Sequence, residues 1–358
     1  MLFFSGISMA QPQNGRYLYL SMPDAAQSEG RSGPGGLLVF DIDNGHEFVR
    51  RIEIPVFDED EGLRGLTGNL ENHSLYYSTT NKRVGAFDLE SEEIIWDRTY
   101  EQGADRSSIT MNGEKIYVPT GWWYSGDDSG MLVLDAENGE LIDWISVAPL
   151  AHNSIVSLDD RRVYLGAGTT LSAFDTETDE MIWHIEDVGE RGVFPFTIDS
   201  EQQYGYVCLG GQIGFDVVNL QTGEALHRVV AVDEEGKKIL SRTHGAGLTV
   251  DESELWISDQ NGQRQFIFDA TQMPPTQKGH VELSDTGHGW VTFSLDGRYA
   301  WGHTPDVFDA ETKELIATLE DEYGNPVSSS KFIEVHFRDG KVVEMSNEFA
   351  LGRKNSSR

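Results

Sequence analysis

The chain of 358 residues contains a single cysteine, Cys208. One cysteine cannot form an internal disulfide bond, so no disulfide stabilises the fold. Cys208 lies in the apolar segment YGYVCLGG, which is typical of a buried, unreactive thiol. Apolar residues make up 38% of the chain and charged residues 24%, so the sequence can bury a substantial core without cross-links.

Basic residues are scarce: 27 Lys and Arg stand against 60 Asp and Glu, which gives a net charge of −33. This balance excludes binding to DNA, RNA or an anionic membrane surface, because phosphate recognition needs a basic stripe. No run of 18 apolar residues is present, so we expect no membrane insertion. No segment has a convincing period of 3.6 residues, so we expect almost no helix.

The N-terminal segment MLFFSGISMA, residues 1–10, has two interpretations. Its apolar patch and small residues resemble the end of a secretory signal peptide, although the basic leading region is absent. That interpretation places the protein in the periplasm or outside the cell. Alternatively, the segment is a frayed terminus with no targeting role. We assign residues 11–350 to one domain and predict that residues 351–358 form a disordered tail.

A repeated unit organises the chain. Each unit has an apolar strand that ends in Asp, then a turn, and then a second apolar strand. The markers recur every 40 to 53 residues, at Asp41, Asp88, Asp135, Asp175, Asp216, Asp269 and Asp309. Such a spacing is that of a four-stranded propeller blade, roughly 40–50 residues. The short Asp side chain can accept a hydrogen bond from the backbone two residues on, which favours a tight hairpin.

A second hairpin with alternating apolar residues comes before each later marker, so each unit holds four strands. The first unit lacks its first strand, and the segment 332–337 near the C-terminus has no third or fourth strand after it. We therefore predict an all-β, single seven-bladed β-propeller, monomeric, with velcro closure by the C-terminal strand. Closure removes the exposed strand edges. The sequence leaves the place of a surplus strand at 341–348 open.

Two of the repeats, AFDLESEEIIW and AFDTETDEMIW, resemble the tryptophan-docking repeat of quinoproteins and carry Trp96 and Trp183. A third, VLDAENGELIDW, carries Trp144 one position late. The remaining repeats resemble those of YncE-type (YVTN) seven-bladed propellers. The quinoprotein alcohol dehydrogenases have eight blades and a vicinal disulfide, so with seven repeats and one cysteine we do not expect pyrroloquinoline quinone as a cofactor.

Cations or histidines stand just before the first strand of every blade. Propeller topology brings these positions to one funnel. They are Arg64, Arg106, His152, Arg191, Arg242, His244, His288 and Lys331. In a chain with so few basic residues, the coincidence suggests a site for an anionic small molecule, because Arg grips carboxylates through two parallel hydrogen bonds. Alternatively, these side chains neutralise strand-end carbonyls and acidic loops.

The histidines allow an enzymatic hypothesis. His152, His244 and His288 are candidate catalytic residues and candidate ligands of a divalent metal ion. A metal-bearing propeller with nearby arginines resembles the oligogalacturonate lyases at the site, which implies a lyase or hydrolase acting on a carboxylated, uronate-like substrate. Arg64, Arg106, Arg242 and Lys331 would bind the acid group in either case, with Trp122, Trp123, Tyr124 and His303 on loops of the same face. A protein-interaction scaffold is the third hypothesis.

Overall fold

The computed structural model describes residues 12–21, 36–55, 57, 61–121, 129–193, 195–286, 289–329 and 331–346. The described residues form strands, turns and loops, and the strands assemble into seven antiparallel sheets. The first blade contains β1 (Gly15–Ser21), β2 (Gly36–Asp41), β3 (Glu47–Glu53), β28 (Phe332–Arg338) and β29 (Lys341–Met345).

The other six blades follow one another along the chain, four strands each. The second has β4 (Leu63–Asn69), β5 (Ser74–Thr79), β6 (Arg83–Asp88) and β7 (Ile94–Thr99); the third has β8 (Ser108–Ile109), β9 (Lys115–Pro119), β10 (Gly130–Asp135) and β11 (Leu141–Ser146). The fourth has β12 (Ala151–Val156), β13 (Arg162–Ala167), β14 (Thr170–Asp175) and β15 (Met181–Ile185). The fifth has β16 (Phe196–Ile198), β17 (Tyr204–Cys208), β18 (Gly214–Asn219) and β19 (Glu224–Val230). The sixth has β20 (Thr243–Leu248), β21 (Glu254–Asp259), β22 (Arg264–Asp269) and β23 (Thr276–Glu282); the seventh has β24 (Thr292–Phe293), β25 (Tyr299–Trp301), β26 (Asp306–Asp309) and β27 (Leu315–Thr318).

The first blade closes the ring. Its strand order is β29-β28-β1-β2-β3, and Tyr19 of β1 pairs with Ile333 of β28 in antiparallel register. The chain therefore supplies the missing first strand from its C-terminal part, as the sequence predicts. The surplus strand, β29, pairs with the other side of β28, so this blade has five strands. The prediction of an all-β, seven-bladed propeller with velcro closure is confirmed.

The outer hairpin of every blade has the same type of turn. At the end of the third strand of each blade, a side-chain oxygen accepts a hydrogen bond from the backbone N–H two residues on, as predicted. The residues that do so are Asp41, Asp88, Asp135, Asp175, Asn219, Asp269 and Asp309. In the fifth blade the turn residue is thus Asn219, and the marker predicted there, Asp216, lies inside β18. Asp216 is 4% exposed and accepts two hydrogen bonds from Arg228.

Tryptophans fasten two pairs of neighbouring blades. The Nε1–H group of Trp96 donates to the carbonyl oxygen of Ala136 at 3.0 Å, and that of Trp183 donates to Leu220 at 3.0 Å. Each acceptor follows the turn residue of the next blade. A Cβ atom added to Gly139 would lie 2.6 Å from the Trp96 ring, so the indole packs directly on the turn. Both contacts agree with the docking repeat that the sequence resembles.

Trp144 does not dock in this way. Its ring covers Gly130 of its own blade, where an added Cβ would lie 2.3 Å from the indole. Lys115 and Tyr117 take its place against the fourth blade, and both bind the carboxylate of Asp179 at 2.7 Å. The one-residue offset in the sequence therefore moves the indole to the other side of its strand.

Two further expectations concern buried groups. Cys208 is fully buried, and burial raises the pKa of its thiol to about 12, which agrees with an unreactive cysteine. An acidic run such as that at 58–61 is typical of a solvated loop. Its last residue, Glu61, is instead 2% exposed and binds Arg83 at 2.9 Å, and residues 58–60 lie outside the described residues. In the described part of the chain, no helix has the length and apolar character needed to cross a membrane.

Candidate functional site

Three inner strands are irregular at their first residues. In β4, Leu63 and Gly65 pair with consecutive residues of β5, so Arg64 is an extra residue. His152 is the extra residue in β12 in the same way. In β20 the pair His244 and Gly245 stands opposite one residue of β21. A β-bulge re-aims a side chain and is frequent beside functional sites, so the fold singles out Arg64, His152 and His244.

Gly245 brings two blades close together at this point. A Cβ atom at position 245 would lie 2.0 Å from the carbonyl oxygen of Gly289, and the residue has a φ of +151°. Any side chain there would push the bulge of β20 away from the segment before β24. That segment carries Trp290, so Gly245 sets the distance between His244 and the indole.

Trp290 lies at the centre of a buried cluster and is itself fully buried. The Nζ atom of Lys331 lies 3.6 Å from the centroid of its ring, and the guanidinium carbon of Arg106 lies 4.1 Å from it. The His244 ring meets the indole edge to face at 5.6 Å, and the His152 ring lies 6.3 Å away. Cations over an indole face are held by its quadrupole. We call Asp105, Arg106, His152, His244, Trp290 and Lys331 the Trp290 cluster.

The tautomer of His152 follows from its partners. Its Nε2 lies 2.9 Å from Nη1 of Arg106, and its Nδ1 lies 3.0 Å from a carboxylate oxygen of Asp105. Arg can only donate, so Nε2 of His152 accepts. Nδ1 therefore carries the ring proton and donates a hydrogen bond to the Asp105 carboxylate. Burial lowers the pKa of His152 to about 4, against an opposing effect of Asp105. His152 is therefore neutral, with a fixed ring orientation.

Asp105 is fully buried and ionised. Burial raises the pKa of its carboxyl group, but Arg64 and His152 lower that pKa by more than burial raises it. The pKa of Asp105 is therefore well below the usual range. The Nε atom of Arg64 lies 3.7 Å from Asp105, and the Arg64 side chain is 15% exposed. Arg64 thus connects the buried Trp290 cluster to the solvent.

The metal hypothesis meets an obstacle at His152. Both of its ring nitrogens are engaged, so a metal ion at Nε2 would have to displace Arg106. The His152 and His244 rings lie 6.1 Å apart, centroid to centroid, but the third predicted ligand, His288, lies outside the described residues. Among the residues that are described, no group of three His, Cys, Asp or Glu side chains is placed to hold a metal. Metal binding stays a prediction.

The structure also places two of the remaining predicted residues, His303 and Arg242. His303 is 3% exposed and lies between β25 and β26. Arg242 lines a surface cleft of about 510 Å³ together with Arg191. Trp122, Trp123 and Tyr124 lie outside the described residues.

Sequence reasoning missed Asp105 and Trp290. Asp105 directly precedes the predicted Arg106, and Trp290 follows the predicted His288 by two residues. A carboxylate next to a conspicuous cation was the signal available for the first. Nothing in the composition marks Trp290, because an indole before a strand is usually read as core.

Comparisons with known proteins bear on the identity. Residues 80–343 match the PQQ-repeat family described as outer membrane protein assembly factor BamB. The chain belongs to this family. The resemblance to quinoprotein repeats is confirmed, whereas the resemblance to YncE-type propellers is not. No curated protein matches the sequence.

Among solved structures, hydrazine synthase from Kuenenia stuttgartiensis has a similar fold. The two chains share 13% identity at a TM-score of 0.61, over 80% of this chain and 96% of that one. Such a likeness shows the fold alone. For this BamB-type propeller, the whole Trp290 cluster lies within the matched region, and Arg64 lies before it.

Proposed function

We propose that this propeller binds an anionic, carboxylate-type small molecule at the Trp290 cluster. One observation carries the proposal: Arg64, Arg106 and Lys331 converge on one buried place in a chain of net charge −33. Lys331 is fully buried and Arg106 is 6% exposed. Burying cations is costly, so a site that gathers several of them favours an anion as their shared partner.

The residues have separable roles. Arg64 is the most exposed of the three cations and would meet the ligand first. The Nε atom of Arg64 lies 3.7 Å from Asp105, and a ligand carboxylate bound beside it would share the guanidinium with Asp105. Asp105 and His152 hold Arg106 in one orientation through the chain of hydrogen bonds, which leaves the guanidinium preorganised for a carboxylate.

The Asp105–His152 pair favours a second candidate, the lyase or hydrolase on a carboxylated substrate. A neutral imidazole backed by a buried carboxylate is the arrangement of a general base. Its Nε2, however, is directed at Arg106, so proton transfer requires Arg106 to move onto the substrate first. Turnover of oligogalacturonate with and without added divalent metal separates this candidate from simple binding. Loss of turnover in His152→Gln with substrate binding retained would support it.

Location and partners belong to the same proposal. An extracytoplasmic location is supported by the apolar and small-residue pattern of residues 1–10 and by the printed description of the family. That description also supports the scaffold hypothesis. The Trp290 cluster does not favour it, because buried cations cannot meet a protein surface.

Isothermal titration calorimetry with citrate, galacturonate and sulfate tests the binding proposal. We expect Arg64→Gln to weaken the best ligand roughly tenfold, since a charge-assisted hydrogen bond contributes ~1.5–3 kcal/mol. Arg161→Gln is the matched control, because that side chain is 83% exposed in a different loop. If no anion binds, or if Arg64→Gln binds as tightly as the wild type, the cluster is structural.

A further inference from the structure

A second cation pair lies in the surface cleft of about 510 Å³ between the fifth and sixth blades. Arg191 precedes β16 of the fifth blade, and Arg242 precedes β20 of the sixth. Gly210 and Gly211 enter from the loop after β17, and Gln260 and Asn261 from the loop after β21. The volume falls within the ~300–1,000 Å³ of small-molecule sites. The cleft shares no lining residue with the Trp290 cluster.

Polar groups form one wall of the cleft, and a buried carboxylate fixes them. Asp259 is 1% exposed and accepts hydrogen bonds from the Ser241 hydroxyl and from the backbone N–H of Asn261. The Asn261 side-chain amide donates to the Ser241 hydroxyl at 3.2 Å. Ser241 and Asn261 are therefore held in place before any ligand arrives, which lowers the entropic cost of binding.

Gln260 adds an acceptor to this wall. Its Oε1 atom is buried and accepts no hydrogen bond from any of the described residues. A buried amide oxygen without a donor is destabilising, so a rotation of the Gln260 side chain that presents this oxygen to a ligand hydroxyl would be favourable. Hydroxyl groups that both donate and accept also match the Ser241 hydroxyl and the Asn261 amide.

Arg191 supplies the charge at the mouth of the cleft. It is exposed, and no ion pair joins it to a carboxylate among the residues that the structure describes. The floor beside it is backbone, because a side chain at Gly211 would come within 2.8 Å of Glu190 and 3.3 Å of Arg191.

We propose that this cleft binds a polyhydroxylated carboxylate of the uronate class. Arg191 and Arg242 hold the carboxylate, while Ser241, Gln260 and Asn261 bind the hydroxyl groups. Leu240, which is 83% exposed on the rim, covers the apolar face of the ring. The inference does not depend on ligand binding at the Trp290 cluster, although both sites favour acids.

Calorimetry on the full chain with galacturonate, galactose and acetate tests the proposal. We expect galacturonate to bind, and galactose and acetate to bind at least tenfold more weakly, because each lacks one half of the recognised chemistry. Arg191→Gln and Arg242→Gln should each weaken galacturonate roughly tenfold. Arg191 is exposed and makes no ion pair with a described residue, so its variant is expected to fold normally. Arg161→Gln again serves as the control.

The outcomes separate this site from the Trp290 cluster. A binding step that is lost in Arg191→Gln and kept in Arg64→Gln supports the cleft, whether or not a second step depends on Arg64. If Arg191→Gln keeps every step and Arg64→Gln loses one, the cleft is overturned and the Trp290 proposal stands. If the wild-type protein does not bind galacturonate, the proposed ligand class is wrong. If it binds acetate equally well, the cleft is a site for simple anions, and the proposal is also overturned.

Discussion

The hydrogen bond between Trp301 and His46 joins the seventh blade to the first through two side chains. The indole N–H donates to Nε2 of His46 at 3.1 Å, and the two residues are fully buried and 4% exposed, respectively. An indole can only donate, so His46 must be neutral to accept. Burial, and to a smaller extent Arg16, lower the pKa of His46 to about 4 against an opposing effect of Asp43. A proton on His46 would therefore loosen the contact between these blades.

The pH dependence of stability tests this contact. The ordinary His pKa is 6.5 and the folded value about 4, so between these values the unfolded chain binds a proton that the folded chain does not. The contribution is complete above pH 6.5 and is lost as the pH falls towards 4. Urea unfolding should show about 2 kcal/mol less stability at pH 5 than at pH 7.5 from this residue.

His46→Gln should remove that part of the slope, because the Gln amide oxygen can accept from Trp301 without titrating. His227→Gln is the matched control, since His227 is exposed on β19. Equal slopes in the wild type and in His46→Gln would show that the histidine is not buried in its neutral form.

The turn that ends the third strand is the element on which the blades depend. Its Asx residue orders the backbone, and in two places the indole of the preceding blade packs on the residue four positions later, Gly139 or Gly223. Gly139 has a φ of +72° and Gly223 of +71°, a conformation that glycine adopts without strain. The same glycine therefore serves the turn and the joint between blades.

Gly139→Ala tests the joint separately from the turn. Gly236 is the matched control, because its φ is +77° and no atom lies within 4 Å of an added Cβ. Both substitutions carry the same backbone strain, but only Gly139→Ala pushes a methyl group into Trp96. We expect Gly139→Ala to lower the free energy of unfolding by roughly 1–3 kcal/mol more than Gly236→Ala. Equal losses in urea unfolding would mean that the indole adjusts freely.

The sequence predicted these elements because the repeat is local. Blade number, the Asx turns and the closing strand all follow from spacing and from residue types that act on their own neighbours. The fifth marker was misplaced because Asp216 and Asn219 are three residues apart and chemically similar. A cross-strand contact within the blade decided between them: Arg228 of β19 binds Asp216 of β18, and Asn219 is left for the turn.

The site was less predictable, because it depends on pairing register. The bulges at Arg64 and His152 appear only when two strands are aligned. The tautomer of His152 depends on Asp105, in a neighbouring blade. The cleft that Arg242 lines is formed with residues of the neighbouring blade, which the sequence does not align with it. The position of each residue in the repeat predicts its blade, but the direction of its side chain depends on the strand register.

At the scale of the whole molecule, acidic and basic side chains are unevenly distributed. The chain carries −33, while the cations of the Trp290 cluster and of the cleft are concentrated on positions that precede inner strands. An acidic exterior repels anions at a distance, and a cationic recess attracts them at short range. Salt screens both the repulsion between acidic side chains of the fold and the attraction for the ligand, so its effects on stability and on binding have opposite signs.

Raising NaCl from 50 to 500 mM should therefore stabilise the fold and weaken galacturonate binding. The free energy of unfolding in urea, which is uncharged, should increase because like charges across the surface no longer repel over long distances. The dissociation constant should rise over the same range, because the exposed part of the Arg64 and Arg191 attraction is screened. In Arg64→Gln and Arg191→Gln the stability gain should persist, while the salt dependence of binding becomes shallower. A fold that gains nothing from salt would show that the acidic surface is already balanced locally, and binding that is indifferent to salt would show that the cations do not act on the ligand through their charge.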